Sequence, residues 1–107
     1  MIKDLFTEMI RRLEWAKDRR LQPEIQHWPS RRVCRIPIDE SQEYIVSIRA
    51  DGDHRVLIQS FFPDGEPHHH MRIDRLEVEE AAFILDTAGL IVYGTLIPHV
   101  DGKKSSR

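Results

Sequence analysis

Cysteine occurs once in this chain of 107 residues, at Cys34. A lone thiol closes no intrachain disulfide and leaves no cysteine pair to hold zinc or an iron–sulfur cluster, which fits a reducing compartment. No apolar run approaches the ~20 residues that a bilayer span requires. Asp4 and Glu8 interrupt the segment where a secretory signal would carry its apolar core. A soluble, cytoplasmic protein is the expectation. The five glycines, at 52, 65, 89, 94 and 102, are spaced as turn and cap residues, so they form no phosphate loop, and there is no Gly-x-Ser-x-Gly elbow. At this length the chain is one domain with no cleft between lobes. The expectation is a protein that is not an enzyme, with no catalytic residues and no cofactor.

What is present suffices for a core. Val, Ile, Leu and Phe number 30, about 28% of the chain, above the level at which burial fails to offset chain entropy. The net charge of −2 conceals a division. Residues 1–36 carry nine basic and five acidic side chains, residues 37–101 carry four and thirteen, and Lys103, Lys104 and Arg107 add a basic end.

Ile2, Leu5, Phe6, Met9, Ile10, Leu13 and Ala16 recur at three- and four-residue spacing and predict a helix over 3–21. Residues 22–32, with Pro23 and Pro29, read as a connection without period. The period then becomes two. Val33–Ile38 places Cys34, Ile36 and Ile38 on one face, which predicts a buried structural thiol, and Pro37 marks an edge strand. Tyr44–Ala50 follows, Asp51-Gly52 turns, and Arg55–Phe62 returns as an internal strand apolar on both faces. Pro63-Asp64-Gly65-Glu66 turns again into His69–Ile73. A second helix begins at about Arg75, with Asp74 as N-cap and Glu77 completing a capping box, and ends at Gly89 as C-cap. Leu90–Ile97 reads as a final strand.

The expected class is therefore α+β: an N-terminal helix, a four-stranded antiparallel meander, a second helix and a final strand, with both helices packed on one sheet face. One compact domain spans 1–100, and residues 101–107 form a basic flexible tail.

His68-His69-His70 invites a metal reading, but on a regular strand only His68 and His70 share a face, and the third ligand is missing. No metal site is expected; clustered imidazoles that gain charge near pH 6 remain as a pH-sensitive element.

The surface speaks for binding. Trp15 lies about 140° from the apolar stripe of the first helix, beside Arg11, Arg12 and Arg19, a composition enriched in protein interfaces. The other reading of Trp15 is a cluster with Trp28 under the connecting loop. Leu76 and Phe83 fall on the off-face of the second helix, where burial or a contact patch are the two alternatives. A second candidate contact set is acidic: Asp39, Glu40, Glu43, Asp51, Asp53, Asp64 and Glu66, able to steer toward a basic groove. The leading expectation is a homodimeric protein-interaction module that regulates or inhibits a partner, most concretely a phage- or mobile-element-related inhibitor of a nuclease-type, nucleic-acid-handling complex. The alternative is a small nucleic-acid-binding regulator using the basic N-terminal helix and loop, with Trp15 or Trp28 to stack on bases.

Overall fold

The apolar stripe of the first helix is buried where its spacing requires. In the computed structural model, which describes residues 2–102, α1 (Ile2–Asp18) turns Leu5, Met9, Leu13 and Ala16 inward. It stops three residues before the predicted end because Arg20 takes a left-handed conformation (φ 59°). That kink returns the Leu21 N–H to the Ala16 carbonyl at 2.9 Å, and Leu21 still packs on the core.

Six strands form one mixed sheet in the order β5-β4-β3-β2-β1-β6, two more strands than the predicted meander. The stretch expected to be an aperiodic connection contains β1 (Glu24–Trp28), which pairs antiparallel with β2 (Arg31–Pro37). Its sequence signal is weak because Ile25 is its only aliphatic residue. β2 is consequently an interior strand and not the expected edge. Pro37 is tolerated because β1 pairs only as far as Arg35, so at Pro37 the strand has a single neighbour, β3 (Glu43–Ala50). β4 (Arg55–Phe61) is internal, as its two apolar faces predict, and β5 (Pro67–Asp74) is one true edge.

The C-terminal third departs most from expectation. Asp74 ends β5 and caps nothing. The capping box forms one turn later, between Glu77 and Glu80, and starts α2 (Val78–Ala81), which is followed by α3 (Phe83–Tyr93). Gly89 is interior to α3, and the C-cap is Gly94, in the left-handed conformation at φ 73°. The segment read as a last strand, Leu90–Ile97, is thus helical up to Tyr93. The strand is β6 (His99–Asp101), parallel to β1. Asp101, placed in the expected tail, pairs with His27, and residues 103–107 lie outside the described residues.

The α+β class holds. α1 and α3 share one core with Ile25, Cys34, Ile36, Val46, Ile48 and Ile58, all from the same sheet face. Tyr93 donates from its hydroxyl to the Leu13 carbonyl (3.1 Å) and Lys17 from Nζ to the Val92 carbonyl (3.0 Å), tying the two helices together. Among the described residues the opposite sheet face carries no helix. No described helix is long and apolar enough to cross a membrane.

Candidate interaction surfaces

The basic set on α1 is partly committed to the fold. Glu8 accepts from Arg11 (3.1 Å) and from Arg12 Nε (2.6 Å), and Arg12 lies over the Tyr44 ring at 4.8 Å. Burial raises the Glu8 carboxyl, but hydrogen bonds and charge from the two guanidiniums outweigh it and hold the group below its ordinary range. Trp15 is 47% exposed, and Arg19 stacks on it at 4.2 Å. It does not join Trp28, which stands on the helix-free sheet face beneath Arg31 at 5.1 Å. Arg11, Arg12, Glu14, Trp15 and Asp18 surround a surface depression of about 470 Å³.

The acidic set is divided. The 38–42 and 62–66 turns lie at one end of the sheet, since both follow strands that run in the same direction, and they bring Asp39 and Glu40 to the end that holds Asp64 and Glu66. Asp39 and Asp64 also shape these turns by accepting backbone N–H groups, from Ser41 and Gln42 and from Glu66. Glu43 is paired to Arg35. Asp51 and Asp53 are at the opposite end, and Asp51 is paired to Arg72.

The histidine run adopts a geometry that regular alternation does not give. A bulge opposite Ser60/Phe61 inserts one extra residue into β5, so His68 and His69 are adjacent, with ring centroids 4.1 Å apart. The Tyr44 hydroxyl lies 2.9 Å from His68 Nδ1, Ser60 Oγ lies 3.1 Å from His69 Nδ1, and His70 turns to Gln59 on the other face. Burial, then the neighbouring His69, lowers the His68 pKa. A second chain runs from Asp86 to His99 (3.0 Å) and from His99 to His27, joining α3, β6 and β1. Burial, then the charges of Arg32 and His99, lowers His27. Among the described residues no group of three or more His, Cys, Asp or Glu is placed to hold a metal ion.

Two nucleophile candidates, Cys34 and Ser60, are sealed. Cys34 is fully buried, and burial together with Asp86 and Glu24 pushes its thiol up to about 12. Ser60 is fully buried and accepts from the His69 N–H.

Two surfaces go beyond the sequence reading, which offered only Leu76 and Phe83 as a candidate patch on the second helix. The first is the outer face of α3. Phe83, Thr87, Leu90 and Ile91 fall at i, i+4, i+7 and i+8, and Phe83, Leu90 and Ile91 are 70%, 49% and 59% exposed. Phe83 is therefore outside the core, whereas Leu76 packs against it. The second is the helix-free sheet face, where the register aligns Arg72, Leu57, Arg49, Arg31 and Trp28 in one row across five strands. The signal for it was the shared parity of Arg31, Arg35, Arg49, Arg55 and Arg72 along their strands, readable only once the register is known. Arg32, of opposite parity, is instead 92% buried on the helix side, where it donates to the Trp28 carbonyl (2.8 Å) and pairs with Glu79.

Comparison with protein-family models, with curated proteins and with solved structures finds no match, so the functional reading rests on the chain's own geometry.

Proposed function

We propose that the chain is a non-enzymatic protein-interaction module that self-associates through the outer face of α3 and regulates or inhibits a protein partner. The observation that carries this reading is the unpartnered apolar strip of Phe83, Leu90 and Ile91. A helix apolar on every side belongs in an interior, and α3 has sheet and α1 on one side only. The strip exposes roughly 300 Å², the size of the largest apolar patch on a typical monomer, and such patches are often functional. It bears no charge, so a second copy meets it without like-charge repulsion, as the self-complementary contact of a two-fold dimer requires. The sealed Cys34 and Ser60 support the non-enzymatic part of the reading.

The most concrete partner is a nucleic-acid-handling protein with a basic groove. The contact suited to it is the sheet end that carries Asp39, Glu40, Asp64 and Glu66, whose field would steer toward such a groove.

The test is site-specific photocrosslinking with benzoylphenylalanine at position 83 or 91. The expected product is a crosslink to α3 of a second copy, and the same probe at position 14 gives none. A probe at both α3 positions that yields only uncrosslinked protein would remove the self-association.

A further inference from the structure

We infer that the helix-free sheet face binds single-stranded nucleic acid, with phosphates at the Arg31–Arg49 pair and a base in the adjoining depression. This goes beyond the self-association reading and uses a different surface.

Arg31 and Arg49 are direct cross-strand partners, both exposed. Like charges opposite one another on a sheet destabilise it. The other arginines of the sheet are relieved or opposed: Arg35 by Glu43, Arg72 by Asp51, Arg32 by Glu79, and Arg55 faces Asp74 across the ladder. Neither Arg31 nor Arg49 has a carboxylate partner among the described residues; Arg31 rests on the Trp28 ring, and Arg49 makes no side-chain hydrogen bond or ion pair among the described residues. Two adjacent planar forks without counter-ions form a site for a bidentate anion such as phosphate.

The neighbouring surface selects the source of that anion. A depression of about 270 Å³ begins at Trp28 and Arg31 and reaches Phe61, with Val33 and Ile45 as its floor and the Ser47 hydroxyl within it. Val33 and Ile45 give the depression an apolar part, Trp28 and Phe61 each contribute an aromatic ring to its lining, and Gln26 adds a hydrogen-bonding amide. Gly102 makes room for one of these rings, since a β-carbon there would collide with Trp28. At the far end Arg35 is already balanced by Glu43 and faces Glu24 across the ladder. An acidic peptide would bring a second carboxylate against those acids, whereas a nucleobase brings a neutral, planar, hydrogen-bonding group. The base must be unpaired to lie on the floor, which selects a single strand.

The experiment is a fluorescence-anisotropy titration of a labelled oligothymidylate or oligouridylate of about twelve nucleotides, at about 50 mM and 200 mM salt. The wild type is expected to bind with affinity that falls as salt rises. Arg31→Gln with Arg49→Gln should weaken binding about tenfold or more and flatten the salt slope by about 1.4, the value for two phosphate contacts on a single strand. That double variant should melt no lower than the wild type, because it removes a repulsion. Monomeric α3 variants should bind as the wild type does, so this inference and the self-association reading fail separately. Absence of binding at the lower salt overturns the inference. So does loss of binding in Arg11→Gln/Arg19→Gln with Arg31→Gln/Arg49→Gln unaffected, and so does displacement by polyglutamate as effective as by unlabelled single strand.

Discussion

Gly89 is the seat of Ile97: a β-carbon on Gly89 would stand 2.6 Å from Cγ1 of Ile97 and 3.1 Å from its backbone nitrogen. Ile97 is buried, and this close approach lets the chain leaving α3 fold under the helix before β6 joins β1. Gly89→Ala should therefore destabilise. Overpacking costs about 1–3 kcal/mol and the better helix propensity of alanine returns about 1, leaving a net loss of up to about 2 kcal/mol, with the backbone contact to Ile97 placing it toward the upper end. Denaturant unfolding of Gly89→Ala, Ile97→Ala and the double variant checks it. The double variant should lose less than the two single losses combined, because the smaller side chain vacates the space that the new methyl needs. Strict additivity would mean that the two residues do not share that space.

Glu8 is the anchor for two arginines, and its lowered pKa gives its contribution a defined pH window. The stabilisation is present above the unfolded value of 4.5 and is lost as pH falls through the lower folded value. Glu8→Gln should cost about 0.5–1 kcal/mol at neutral pH, since both ion pairs lie within one partly exposed helix. The difference between wild type and variant should close in acid, below the folded value. A difference that persists unchanged there would assign the effect to packing.

His27 and His68 both have lowered values, in each case first through burial. The unfolded chain then takes up protons at 6.5 that the folded state resists, so stability is present above that value and declines as pH falls through the folded values. Thermal melts between about pH 8 and pH 5 should show a falling midpoint. His68→Gln, which can still hydrogen-bond to Tyr44, and His27→Gln should each flatten the fall. A wild-type midpoint independent of pH over this range would contradict the assignment.

Cys34, with its thiol pushed up to about 12 and no exposure, should not react with a disulfide reagent such as dithionitrobenzoate in the native protein near pH 8. One equivalent should react after denaturation. Rapid native reaction would place Cys34 on an accessible surface.

The legible parts of the fold were those written in local period and turn chemistry. The α1 stripe, the alternation of Tyr44, Val46 and Ile48, and the Asp51-Gly52 and Pro63–Glu66 turns each carry their own signal within a few residues. β1 carried little, because its pairing with β2 supplies the order that its composition does not. α3 was misread for a related reason. Leu90, Ile91 and Val92 are apolar on all sides, and an apolar run without period reads equally as a buried strand or a buried helix. The histidine geometry depended on a one-residue bulge, and the arginine row on register between strands far apart in sequence. Of the expected site residues, Trp15 and Arg19 stand exposed together, Arg12 is half-buried against Tyr44, and the seven carboxylates are split between the two ends of the sheet.

The direct measurement of self-association through α3 is sedimentation equilibrium across low to high micromolar loading, for the wild type and for Phe83→Ser with Ile91→Ser. The expected wild-type mass rises with concentration from 12.6 kDa toward twice that value, while the double variant stays at 12.6 kDa with unchanged circular dichroism. A wild type that remains at 12.6 kDa throughout, or a double variant that associates as the wild type does, would contradict it.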